Sequence, residues 1–267
     1  MWDILSSLLA DLPLASTHSP SEWEALLRSA TPGFLARKLV TVRSREDGEP
    51  VFAGATTSSS LLEVTRAALL PAPGRGPRHR LTVFDGRGQL LAVVSQSDII
   101  RCVGTAAELD SPFLYITLHS FLAASPEAMS ALHHATVGSA GLGHAPVTSA
   151  RAETPAIEAF ALAVAAGVSA VAVVDPVSGA LVGNLSVSDL RGAASDLARL
   201  SMPVGDFTAG QKLLCFTHDT PLSELVVQLA ASRVHRAWVV DAATRVPTGV
   251  VTLTDVLQLV AGGEGGA

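Results

Sequence analysis

Three observations predict a repetitive α/β protein. The tetrapeptide pattern S/T-x-S/T-D occurs at Ser95 to Asp98, Ser186 to Asp189 and Thr252 to Asp255. Each occurrence follows two short apolar runs separated by turn residues, and each copy carries an amphipathic segment further upstream. A helix, two strands and a second helix, often with a short strand in front, is therefore the predicted unit.

In the first of these copies SSLLEVTRAAL reads as the upstream helix, with Glu63 35 residues before Asp98. The loop PAPGRGP accounts for its extra length. LTVFD and QLLAVV then read as strands about the turn DGRGQ, and the second helix leaves from Asp98. The next copy opens with Thr154-Pro155, an N-cap followed by proline at the first helical position, where its missing N–H costs nothing. Its helix carries Glu158, its strands flank DPVSG, and its motif ends at Asp189, 31 residues after the glutamate. The last copy repeats this plan from Thr220-Pro221, with Glu224 also 31 residues before Asp255 and the turn DAATRVPTG between its strands. Asp85, Asp175 and Asp241 end the first strand of each pair, 13 or 14 residues before the motif aspartate.

The N-terminus carries a further likeness. Asp3-Ile4-Leu5 is similar to Asp98-Ile99-Ile100 and Asp255-Val256-Leu257, which makes residues 1–34 either the remnant of a further copy or ordinary linker helices. The expected boundaries are then 35–125, 126–200 and 201–262 for the three copies, with a disordered tail at 263–267.

Composition narrows the function. The net charge of −6 disfavours a nucleic-acid protein, and hydrophobic residues at 48% supply a well-buried core. Cys102 and Cys215 lie far apart without metal-ligand spacing, which suggests a reducing compartment and no structural zinc. The mean hydropathy of +0.41 makes a membrane span worth testing. The best stretch, Ala159 to Val174, is short of the ~20 residues a span requires and is split by Gly167-Val168-Ser169. Helix, turn and buried strand is the better reading. No basic region precedes the first apolar stretch, so a signal peptide is not expected.

The repeated motif has two readings. A hydroxyl and a carboxylate at a strand-to-helix junction form a helix cap that contributes ~1 kcal/mol. The same aspartate can accept from ribose hydroxyls, and the motif hydroxyls can donate to phosphate near free helical N–H groups. His79-Arg80 and His235-Arg236, with Arg78 and Arg233 nearby, supply the cations a polyphosphate requires. A solvated surface pair is the plainer alternative for each. His133-His134 reads as solvated or packed, Trp238 as core, and no P-loop, G-x-G-x-x-G or H-E-x-x-H pattern occurs.

These motifs resemble cystathionine-β-synthase (CBS) domains, αββα-type units that work in pairs, over nearly all of residues 40 to 262. The order RHRLTVFD, VSAVAVVD, VHRAWVVD is similar to repeats two, three and four of the gamma regulatory subunit of AMP-activated and sucrose-non-fermenting-related kinases. The resemblance implies tandem β-α-β-β-α repeats forming two CBS pairs, the first incomplete. It implies a non-catalytic, cytoplasmic or nuclear subunit without cofactor. Such a subunit binds AMP, ADP or ATP between repeats and regulates a serine/threonine kinase through its catalytic and scaffold subunits.

Carried over, Asp98, Asp189 and Asp255 hold ribose, and Ser95, Ser97, Ser186, Ser188, Thr252 and Thr254 line the pockets. His79, Arg80, His235 and Arg236 hold phosphates. Asp98 departs from the animal pattern, which tends to lack a second-repeat aspartate. A scaffold with decayed pockets, or the regulatory part of a larger enzyme or transporter, are the alternatives.

Overall fold

The computed structural model describes residues 5, 8–10, 12–14, 18–35, 53–56, 58–72, 76–108, 126–143, 145–193, 196–232 and 234–261. Asp3, Ile4, Arg233 and the glycine-rich tail lie outside them. Each copy builds one three-stranded sheet in which the middle strand pairs parallel with a short lead strand and neighbours a hairpin partner. In the second-like copy these are β1 (Ala53–Thr56), β2 (Arg80–Phe84) and β3 (Leu90–Ser95). In the third-like copy they are β4 (Ser149–Arg151), β5 (Ala170–Val174) and β6 (Leu181–Ser186). The fourth-like copy has β7 (Cys215–Phe216), β8 (Arg236–Val240) and β9 (Pro247–Thr252).

The upstream helices are α2 (Leu61–Val64, continued by a π-helical turn to Leu69), α5 (Ala156–Ala165) and α7 (Leu222–Ser232). The helices leaving the motifs are α3 (Gln96–Glu108), a 3-10 helix over Val187–Ala193 and α8 (Leu253–Val260). Two further helices, α1 (Pro20–Leu35) and α4 (Pro126–His134), precede the first and second sheets along the chain, and a short α6 (Val204–Phe207) precedes β7. The stretch Ala159 to Val174 is helix, a turn at Gly167 in the left-handed region (φ 66°), then strand, as its pattern predicts. No helix among the described residues is long and apolar enough to cross a membrane.

The chain divides into two compact units. One comprises residues 1–48, 146–213 and 240–248, the other 49–145, 214–239 and 249–267. The first unit has its own core: Trp23 and Leu27 of α1, together with Leu5 and Leu8, pack with Ile157, Phe160, Leu185 and Leu200. Trp23 Nε1 donates to Glu158 Oε1 at 2.7 Å, which satisfies the polar end of an otherwise buried ring. In the second unit α3 packs along α7, and Ile99, Ile100, Leu225, Leu229, Val256 and Leu257 share its core. Leu5 is as fully buried as Ile100, the residue it matches in the motif alignment.

The helices α5 and α7 start differently from the sequence expectation. The N-cap position of α5 is Pro155, one residue beyond Thr154, and no side chain caps it. Thr220 Oγ1 accepts from Thr217 N rather than from the helix. A backbone clasp does the capping instead. Ala156 N donates to Met202 O and Val204 N to Thr154 O, while Leu222 N donates to Ala135 O and Val137 N to Thr220 O. The segment leading into the fourth-like copy thus clasps the third-like helix, and the segment leading into the third-like copy clasps the fourth-like helix. The two copies exchange their lead segments.

Gly138-to-Gly143 is firmly built despite its glycine content. Gly143 lies at φ 94°, and a Cβ on Gly249 of β9 would sit 2.4 Å from its carbonyl oxygen. Only two glycines allow this backbone approach.

Candidate functional site

Capping geometry recurs at all three motifs. The backbone N–H of Ser95, Ser186 and Thr252 donates to Oδ2 of Asp98, Asp189 and Asp255 at 2.8, 2.7 and 2.6 Å. Ser95 and Thr252 also donate their hydroxyls to the same oxygen, at 2.6 and 2.8 Å. Asp98 N and Asp255 N return a bond to those hydroxyls, closing reciprocal capping boxes at α3 and α8. In the third-like motif Ser186 Oγ instead receives Ser188 N and Ser188 Oγ, consistent with its tighter 3-10 start. The residue after each leading hydroxyl is anchored alike: Gln96 N donates to His79 O, Val187 N to Ser169 O, and Leu253 N to His235 O. His79, Ser169 and His235 are therefore equivalent positions.

That equivalence positions the cations. Arg80 opens β2 and pairs directly with Ser95 across the antiparallel ladder, as Ala170 pairs with Ser186. Directly opposed residues share one sheet face, so the Arg80 side chain rises on the face that carries the motif serine. Arg236 holds the same opening place in β8. The third-like copy, with Ser169-Ala170, has no such cation.

Within the second unit the second-like and fourth-like motifs come together. A cavity of about 230 Å³ is lined by Ser97, Ile100 and Arg101 from α3, Leu229 and Ala230 from α7, and Val234, His235 and Leu253. Beside it Thr254 Oγ1 donates to Gln96 Oε1 at 3.1 Å. Gln96 is 3% exposed, and its amide nitrogen donates to Arg78 O at 3.1 Å and, more weakly, to Leu69 O at 3.4 Å. His79 Nδ1 lies 3.4 Å from Gln96 Oε1. Ser186, Ser188 and Asp189 belong to the other unit and form their own motif there.

Two residues of this region escape the sequence pattern. Gln96 occupies the x of the tetrapeptide and is buried there; a polar residue where the other copies carry Val187 and Leu253 was the available signal. Arg101, one turn beyond Asp98, donates to Asp98 Oδ1 and also lines the cavity. The Ser95 hydroxyl, helped by its N–H and by Arg101, holds the Asp98 carboxyl below the ordinary aspartate range despite some desolvation. Cation, hydroxyl and apolar wall are thus juxtaposed in one concave place, a combination suited to an amphipathic anion.

The three copies and their exchanged lead segments define a CBS-repeat architecture. Residues 204–262, the fourth-like copy, match the CBS domain family. By fold the chain is similar to a Methanocaldococcus jannaschii protein described as a proposed archaeal homologue of the AMP-activated kinase gamma subunit. The identity is 14% over 86% of this chain and 76% of that one, with a TM-score of 0.51. CBSX2, solved in complex with AMP, is 26% identical over 46% of this chain and 94% of its own, with a TM-score of 0.39. The CBS domain pair of protein MJ0100, solved with 5'-methylthioadenosine and S-adenosyl-L-methionine, is 19% identical over 47% of this chain and 96% of its own, with a TM-score of 0.41. No curated protein matches the chain.

Proposed function

We propose that this protein is a non-catalytic regulatory subunit that binds AMP, ADP or ATP and acts on a serine/threonine protein kinase in the cytoplasm or nucleus. The observation that carries the reading is the cavity of the second unit, where Ser97 and Arg101 of one motif helix meet His235 of another copy over apolar walls. Ile100, Leu229 and Leu253 offer an apolar surface to a base. Arg101 and His235 offer charge-assisted donors to phosphate, each worth roughly 1.5–3 kcal/mol. Arg80 and Arg236 stand at the strand starts beside these motifs and extend the cationic set. In the capping boxes the second carboxylate oxygen of the motif aspartate is the atom assigned to ribose, and in Asp98 that oxygen is shared with Arg101.

Kinase regulation rests on the order of the three histidine, serine and histidine strand starts, which resembles the gamma subunits. A nucleotide acts through its difference in affinity between two arrangements of the protein, and nothing else is transmitted. The test is calorimetric titration with AMP and ATP. Asp255→Ala and Arg236→Ala each weaken binding about tenfold or more, whereas Asp255→Asn, which retains an acceptor for Thr252 N, weakens binding with little loss of thermal stability. Equal affinity in all three variants would remove the motif from the site.

A further inference from the structure

The geometry points to Gln96 as a positioning residue that fixes the tautomer of His79 and the direction of the Thr254 hydroxyl. This rests in part on the nucleotide reading for its functional consequence, but its structural content is independent of any ligand. Leu69 O and Arg78 O are carbonyl oxygens and only accept, so the group of Gln96 that faces them is its NH2. The other end, Oε1, is then an acceptor only. Thr254 must donate to it, and the His79 nitrogen that faces it, Nδ1, must carry a proton to bond. Neutral His79 is thereby held as the Nδ1–H form, with Nε2 as the atom left to meet a ligand.

Burial fixes the orientation of the Gln96 amide. At 3% exposure Gln96 has little access to water, and reversing its amide would set an oxygen against two carbonyl oxygens. The π-helical turn contributes to the cradle: Leu70 N bonds to Thr65 O, and Leu69 O also receives Arg78 N. One side chain in the second-like motif thus orients a histidine of its own copy and a hydroxyl of the fourth-like motif. The third-like and fourth-like motifs, with Val187 and Leu253 at this place, have no equivalent.

The test is nitrogen-15 NMR of the histidine ring in the unliganded full chain, with Gln96→Met as an unbranched replacement lacking these bonds. Neutral His79 should show the Nδ1–H signature in the unaltered protein and move toward Nε2–H in Gln96→Met. An Nε2–H form in the unaltered protein, or a signature unchanged by Gln96→Met, would overturn the assignment. AMP titration then adds a double-mutant cycle: Gln96→Met weakens binding about 3- to 10-fold, and His79→Ala costs less in that background than alone. Strictly additive losses would overturn the positioning role. If the tautomer behaves as described while the unaltered protein binds no AMP, the nucleotide reading fails and the tautomer assignment stands.

Discussion

At Gly249 one hydrogen atom makes the packing possible. A methyl group there would meet the Gly143 carbonyl at 2.4 Å, a backbone contact that cannot rotate away. Gly249→Ala should therefore destabilise by about 1–3 kcal/mol, read as a lower urea midpoint, whereas Gly86→Ala meets nothing within 4 Å. An equal midpoint for the two variants would refute the close approach. Arg245 is the converse case, a non-glycine residue at φ 58° where the matching hairpins use Gly88 and Gly179. Relief of the left-handed backbone by Arg245→Gly outweighs the added freedom of the unfolded chain and should stabilise by up to about 1 kcal/mol. A lower melting temperature would contradict this. The sequence displays such glycines but not their partners, because the partner is distant in the chain. Gln96 was only faintly legible, as a polar residue where the other copies carry Val187 and Leu253: the motif is defined by its hydroxyls and carboxylate, and the informative residue was the unspecified one.

The hairpins, by contrast, were legible as elements. Each aspartate at the end of the first hairpin strand accepts backbone N–H bonds from its own turn: Asp85 from Arg87 and Gln89, Asp175 from Val177 and Ser178, Asp241 from Ala243 and Thr244. Turn hydrogen bonds hold Asp175 and Asp241 below the ordinary aspartate value of 3.8, and Asp98 is held below it by Ser95. A lowered folded-state value means stability that is present above 3.8 and is lost as pH falls below it. The urea midpoint should decline in that acid range, and replacing the three aspartates by asparagine should flatten the decline. An unchanged acid limb would count against these bonds. The exchanged lead segments were illegible, since their clasp consists of backbone bonds from residues with no distinctive side chain. The same exchange explains why Thr154 and Thr220 do not cap their helices: the first helical N–H is already bonded to Met202 or Ala135. Coverage also differs among edge strands. Leu181 N is bonded by Arg245 O and Leu181 is buried, whereas Leu90, Leu91 and Val93 of β3 are more than half exposed.

For the whole molecule, repetition was the strongest message of the sequence, and the three sheets follow it copy by copy. What alignment alone could not supply is which copies share a unit. The second-like sheet and most of the fourth-like sheet fall in one, and the third-like sheet falls in the other with α1 and the 240–248 hairpin segment. Cores formed by Ile99, Leu229 and Val256 in one unit and by Trp23, Phe160 and Leu200 in the other give this division its physical basis. The shared unit is also what gathers Ser97, Arg101 and His235 around one cavity, and the functional account depends on that gathering. Methyl NMR during an AMP titration tests it most directly, with the Ile100, Leu229, Val234 and Leu253 methyls as reporters. These signals should shift together and saturate, and the shifts should weaken in Asp255→Ala. Unmoved reporters at millimolar AMP, or shifts confined to methyls such as Ile157 and Leu185 of the other unit, would contradict it.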